Sequence, residues 1–189
     1  RYVANSMSIF EGEVVTELFQ VVTANTDQRF VLNNKQIDTD SLSVKISTSS
    51  TDTSNAEWKS SLTTIGISGT SNVYYIVPAE GGKYELQFGD GVLGRSLING
   101  DVIEATYRKC NANSANEANT FTCADTIQGY SNVATTTVSK ASGGGFAESN
   151  TSIKFNAPKA LSIQDRTITV DDYKTILQQE FNDKETLKV

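Results

Sequence analysis

The chain has 189 residues, 38% hydrophobic and 20% charged, with a net charge of −6. These proportions are those of a folded domain and exclude an intrinsically disordered chain. The acidic balance, with no cluster of Lys and Arg, excludes a phosphate-backbone partner, and no apolar run nears the roughly 18 residues that span a bilayer, so neither a nucleic-acid nor a membrane partner is expected. Nothing at the N-terminus resembles a signal peptide. The chain opens at Arg1 without an initiator Met and stops at Val189 soon after a helical pattern, which suggests a piece of a longer polypeptide.

Strand signals dominate the first 140 residues. Residues 14–22 are rich in apolar and β-branched side chains and predict a strand with little exposure, as do residues 73–77. Leu42, Val44 and Ile46 alternate with Ser41, Ser43, Lys45 and Ser47, the period-2 pattern of a half-buried strand. The clearest segment is 83–108. Tyr84, Leu86 and Phe88 alternate with Lys83, Glu85 and Gln87 and run into Gly89-Asp90-Gly91; Asn99-Gly100 follows, and then Ile103, Ala105 and Tyr107 alternate with their polar neighbours. Asp-Gly and Asn-Gly supply the positive φ of tight turns, so Gly89, Asp90, Gly91, Asn99 and Gly100 are expected to be structural turn residues within one antiparallel unit, with Asp90-Gly91 as its hairpin turn.

Cys110 and Cys123 flank a polar stretch, as a disulfide clamp on that loop or as two free thiols; both readings are open. Residues 132–140, rich in Thr and Val, predict a further strand. Gly143, Gly144 and Gly145 have no side chains to pack and are expected to form a hinge. A short helix is expected from about residue 148 to 156, ending ahead of Pro158. Val170, Tyr173, Leu177 and Phe181 then recur at helical spacing, with Thr169 as cap and Asp171 and Asp172 in the first turn. Tyr173, Leu177 and Phe181 form a candidate interface, because an apolar stripe this near the end has little chain to bury it.

The fold class implied is α+β and mainly β: an antiparallel β-rich body over 1–140, with a possible subdomain break near 48–72, a glycine hinge over 141–147 and a smaller helical arm over 148–189. Chemistry is sparse. With no histidine in the sequence, Ser-His-Asp and Cys-His arrangements are excluded within the chain. Gly66-Ile67-Ser68-Gly69 has the wrong spacing for a nucleophile elbow and reads as a turn. Asp38-Thr39-Asp40 opens like a calcium loop, but Ser43 and Ser49 stand where a glycine and a glutamate are needed. Asn150-Thr151-Ser152 is a formal glycosylation sequon without an accompanying secretory signal. Trp58 and the tyrosines read as core packing, with a sugar-stacking platform as the alternative. No catalytic residue, metal ligand or cofactor follows.

Two stretches resemble the baseplate-J-like family, in particular the baseplate wedge proteins of T4-like contractile-tailed phages. The first is residues 84–94 (YELQFGDGVLG) with Asn99-Gly100-Asp101-Val102-Ile103 and Tyr107-Arg108. The second comprises Gly144-Gly145, Glu148-Ser149, Ile153-Lys154, Ala157-Pro158, Arg166-Thr167-Ile168-Thr169 and Asp172-Tyr173. Residues 10–17 also resemble the wedge branch, whereas the stretch from Cys110 to Cys123 is an insertion relative to the family. The resemblance implies a virion protein of the tail baseplate, assembled in the host cytoplasm, that ties neighbouring wedges into a ring around the hub and takes part in its rearrangement on sheath contraction. Its partners would be other wedge proteins and further copies of itself, as a homodimer or larger ring. It implies no cofactor and no enzymatic activity. The alternative is a surface adhesin or carbohydrate-binding β-sandwich using Trp58, the tyrosines and a Cys110–Cys123 disulfide.

Overall fold

The computed structural model describes residues 7–25, 27–48 and 56–163, together with Val170, Tyr173, Lys174 and Leu177. The chain forms two units, Glu11–Cys110 and a second made of Arg1–Phe10 with Asn111–Val189. The division falls at Cys110 and not at the expected end of the β-body at residue 140, so residues 111–140 belong with the C-terminal part instead of with the β-body.

The unit Glu11–Cys110 is a sheet of β1 (Glu13–Gln20), β2 (Phe30–Val31), β3 (Ile37–Ser47), β4 (Ala56–Ser60), β5 (Val73–Ala79), β6 (Lys83–Phe88) and β7 (Val102–Lys109). Their order is β1-β7-β3-β4-β5-β6-β2, antiparallel throughout except between β4 and β5. The mainly β, α+β class expected from the pattern is what is observed. The expected break near 48–72 does not divide the unit, because β4 joins β3 and β5 in the same sheet.

Period-2 patterning decides which side chains enter the core. Ile103, Ala105 and Tyr107 of β7 are buried beside Leu42, Val44 and Ile46 of β3, with Trp58, Tyr74, Leu86 and Phe30 continuing the layer. Edge-to-face contacts link Phe19 to Phe30 (5.9 Å), Phe30 to Phe88 (5.7 Å) and Phe88 to Trp58 (5.5 Å). Such ring pairs add about 0.5–1.5 kcal/mol each beyond their buried area. The Phe19–Phe30 contact joins β1 to β2, the two ends of the strand order, so the sheet curls back on itself.

Where its ends meet there is a seam bridged by side chains. Gln28 Nε2 donates to the Gln20 carbonyl (2.7 Å), and the Asn33 amide and side chain donate to the Glu17 carboxylate (3.0 and 2.9 Å). Glu17 also accepts from the Tyr107 hydroxyl, which in turn accepts from Asn34 Nδ2 (2.7 Å). Burial and then the Glu17 carboxylate raise the Tyr107 pKa. This arrangement covers the polar edge that an open sheet would expose.

Three strand expectations change. β1 sits in the sheet, but Val14 and Leu18 face outward and are exposed; only Val15, Glu17 and Phe19 turn to the core. Glu85, one of the polar residues that alternate with Tyr84, Leu86 and Phe88, is buried as Leu86 is and takes Nε (2.9 Å) and Nη2 of Arg29 on one carboxylate oxygen. That ion pair compensates the charge and raises the Arg29 pKa. Finally β6 and β7 are not paired: β6 lies between β5 and β2, and β7 between β1 and β3. The hairpin partner of β6 is β5, through Glu80-Gly81-Gly82, where Gly81 and Gly82 have φ of 75° and 77°.

In the second unit, residues 132–140 form no strand. They are the returning arm of a long excursion whose tip is an Ile127–Tyr130 bridge. Thr137 Oγ1 donates to the Asn119 carbonyl (2.6 Å) and Thr135 Oγ1 to that of Phe121. Threonine hydroxyls thus take acceptors that backbone amides would need for a ladder. Helix α1 (Asn150–Ile163) starts two residues later than expected, because Ser149 caps it through the Ser152 amide (3.3 Å). It also runs through Pro158 instead of stopping before it. Proline there removes one amide donor, and the good helix formers Ala157, Lys159, Ala160 and Leu161 carry the turn onward.

Candidate functional site

The residues quoted for the family resemblance build the crossover from β6 to β7. Asp90 Oδ1 accepts from the Val92 and Leu93 amides (2.9 and 3.0 Å), and the Gly91 amide donates to the Gly94 carbonyl (2.9 Å). Those two amides, Leu93 first, hold the Asp90 carboxyl below its ordinary range. Gly91 and Gly94 have φ of 92° and 102°, and a Cβ on Gly89 would lie 2.2 Å from the Gly94 carbonyl carbon. Gly91 therefore adopts the positive φ expected of it, but in a closed loop that redirects the chain and not in a two-residue hairpin between paired strands.

The second turn forms where Asn99-Gly100 predicts it. The Asp101 amide donates to the Ile98 carbonyl (3.0 Å), Gly100 has φ of 93°, and the Gly100 amide reaches the Val21 carbonyl (2.9 Å). Asn99 Oδ1 accepts from the Thr23 amide (3.1 Å), and buried Asp101 accepts from the Ile98 amide (2.9 Å). This turn thus ties the start of β7 to the chain leaving β1.

A neighbouring loop, 61–72, leans on the crossover. Gly69 packs so closely that a Cβ there would lie 2.0 Å from the Gly91 carbonyl oxygen, and the Arg95 amide donates to the Ser71 carbonyl (2.8 Å). Within the loop, Thr64–Ile67 is a turn closed by Ile67 N to the Thr64 carbonyl (3.4 Å), with Gly66 at φ 77°. Ser68 belongs to a cluster of hydroxyls with Thr70 and Ser71 (3.1 and 3.0 Å). The Gly66–Gly69 segment is accordingly two turns.

A shallow depression of about 410 Å³ lies beside the crossover, with Gln28, Phe30, Glu85, Phe88 and Leu97 on its walls. Its polar groups already serve the chain: Gln28 bonds Gln20 and Val22, and Glu85 bonds Arg29. Trp58, Tyr74 and Tyr107 lie in the core, which removes them from any exposed stacking platform. Asp38-Thr39-Asp40 lies in a bulged part of β3, where Asp38 pairs with Arg108 (3.3 Å). Among the described residues no group of His, Cys, Asp and Glu is placed to hold a metal ion, and no helix is long and apolar enough to cross a membrane.

Cys110 and Cys123 are free thiols. Cys110 donates to the Glu11 carbonyl (3.4 Å), and burial, then Asp38 and Glu11, raise its pKa. In the glycine run, Gly144 is clasped by one amide side chain: its N–H donates to Asn116 Oδ1 (3.0 Å) and its carbonyl accepts from Nδ2 (2.8 Å). A Cβ there would lie 2.3 Å from the Ala112 carbonyl oxygen, whereas Gly145 faces open space and Gly143 has φ of 90°. Close approach explains Gly144, and an anchor sits at the centre of the expected hinge. Val170, Tyr173 and Leu177 are helical and exposed, Tyr173 at 54% and Leu177 at 49%. Phe181, Thr169, Asp171, Asp172 and the Arg166–Thr169 part of the resemblance lie outside the described residues. In comparison with known proteins, no family model matches the chain and no curated protein matches it.

Proposed function

We propose that this chain is a structural component of a contractile-tail baseplate, a wedge-linking protein of the baseplate-J-like kind that holds neighbouring wedges in a ring. The observation that carries the reading is the coincidence between the quoted motif and the crossover. Gly89, Asp90, Gly91, Gly94, Asn99 and Gly100 each meet a requirement of backbone conformation, close approach or hydrogen bonding. A pattern that arose by chance would not be expected to concentrate on the positions where one connection is most demanding. Exposed Tyr173 and Leu177 add an apolar surface of the kind assembly proteins use.

The test is co-assembly. The purified chain, mixed with the wedge and hub proteins of a contractile tail, is expected to enter a stable complex detected by light scattering after gel filtration. Absence of any complex with each of those components would overturn the proposal. Within the complex, contact through Tyr173 and Leu177 is expected to weaken on substitution of Leu177 by Ser.

A further inference from the structure

Asn99-Gly100 carries a reactivity that its role as a turn does not use. It is the one Asn-Gly pair among the 189 residues. In such a pair the glycine nitrogen can attack the asparagine side-chain carbonyl within the same chain, and glycine hinders the approach least because it has no Cβ. A bond forms between Gly100 N and Asn99 Cγ, the Cγ–Nδ2 bond breaks, and the proton from Gly100 N leaves with Nδ2 as ammonia. Water then opens the cyclic imide at either carbonyl. The product is aspartate or isoaspartate, and in isoaspartate the main chain runs through the former side chain.

The folded turn acts on both reacting groups. Asn99 is exposed, and a Cβ built on Gly100 would meet nothing within 4 Å, so crowding does not block the reaction. Hydrogen bonding does. The Gly100 amide donates to the Val21 carbonyl (2.9 Å), and a nitrogen that keeps this proton cannot attack. Asn99 Oδ1 accepts from the Thr23 amide (3.1 Å) and Thr23 Oγ1 (3.4 Å), which polarises the side-chain carbonyl toward attack. The Gly100 bond decides between these opposed effects, because an activated carbonyl waits on its nucleophile. Freeing that nitrogen means opening the turn, which also breaks the bonds from the Asp101 amide to the Ile98 carbonyl (3.0 Å) and from the Ile98 amide to the Asp101 carboxylate (2.9 Å). Asp90-Gly91 is the related acid pair. Its carboxylate holds the Val92 and Leu93 amides (2.9 and 3.0 Å), and an ionised carboxyl is a poor target for the same attack.

We propose that Asn99 is a deamidation site gated by its own turn. While the turn is closed the Gly100 nitrogen is withheld; when it opens, Asn99 converts. The isoaspartate form has a methylene inserted in the backbone and cannot restore the Gly100–Val21 and Asp101–Ile98 bonds together. Conversion therefore frees the start of β7 from the chain leaving β1, in one direction only. The chemistry needs water and this chain alone, and is independent of any assembly partner.

The test incubates wild-type protein at neutral pH in native buffer and in urea, with peptide mapping by mass spectrometry to separate the asparagine, aspartate and isoaspartate forms. In urea Asn99 is expected to convert ahead of every other asparagine, including Asn113, which precedes Ser114. In native buffer its conversion is expected to be slower on the order of a hundredfold, from the net contribution of several such bonds. It is also expected to follow hydrogen exchange at the Gly100 amide as the turn is loosened by low urea. Equal rates in native buffer and in urea, or a native rate unrelated to Gly100 exchange, would overturn the gating. The protein converted in urea is then refolded and compared with Asn99→Asp, whose backbone is normal. Exchange protection at Gly100 and Asp101 is expected to be lost in the isoaspartate form and kept in Asn99→Asp. Equal protection in the two would overturn the one-way release.

Discussion

Gly69 and Asp90 show how single positions govern the crossover. Gly69 has no room for a methyl group, because the obstacle 2.0 Å away is the Gly91 carbonyl oxygen and not a movable side chain. Gly69→Ala is expected to cost about 1–3 kcal/mol, the range for overpacking, read from chemical denaturation. An unchanged midpoint would mean that the two loops separate freely. Asp90 has a folded-state pKa below its unfolded value, so its stabilising contribution is present above the ordinary carboxyl range and is lost as pH falls through the folded value. Asp90→Asn keeps an acceptor oxygen for the Val92 and Leu93 amides but cannot titrate. The melting temperature of wild type is therefore expected to fall relative to Asp90→Asn as pH drops below about 4. Parallel curves would remove the carboxylate from the account.

At the level of elements the seam between β1 and β2 matters most, since polar side chains there replace a backbone ladder. Tyr107→Phe deletes the hydroxyl that joins Glu17 to Asn34 and leaves both without that partner. A loss of about 1–3 kcal/mol is expected, the cost of an unmade bond at a partly buried site. If the variant is as stable as wild type, the aromatic contacts alone hold the seam.

Period 2 made β7 and most of β3 legible because one face of each is buried and the other is not, and it marked β6 through Tyr84, Leu86 and Phe88 although Glu85 on the alternate face is buried as well. Pairing was less legible, since a register such as Val15↔Tyr107 joins positions that no local pattern connects. The Asp90 loop was misread for a related reason: its residues report a sharp turn but not which strand the chain meets afterwards. Gly81-Gly82, the turn that does close a hairpin, carried the same composition signal. At the candidate site, the positive φ of Gly91 and Gly100 could be read from Asp-Gly and Asn-Gly. The Gly69–Gly91 approach could not, because it depends on how two separate loops pack. Residues 132–140 have strand propensity without a ladder, and propensity gives no indication of which groups satisfy the backbone.

For the whole molecule, the division at Cys110 predicts where the chain can be cut. Among the described residues, every buried hydrophobic residue of the core lies between Val21 and Tyr107, within the unit Glu11–Cys110. A protein made of residues 11–110 is expected to unfold cooperatively on heating, with a near-ultraviolet signal from Trp58 that disappears in the same transition. A broad, featureless melt would show that the sheet needs residues beyond Cys110.

The strand order also sets a timetable. β1 is synthesised before the other strands of its sheet, yet its neighbour is β7, and the Thr16–Thr106 hydroxyl pair joins residues 90 positions apart. At translation rates of roughly 5–20 residues per second, β1 spends several seconds outside the ribosome before its partner exists. Over that interval Val14, Val15, Leu18 and Phe19 are open to any other unpaired strand, including the same segment of a neighbouring nascent chain. Glu13 and Glu17 fall within this stretch. In-register pairing of two nascent copies would set these like charges against each other, a destabilising arrangement, and in the finished sheet Glu17 accepts from the Tyr107 hydroxyl. The same carboxylate that fastens the finished seam thus guards the unfinished strand.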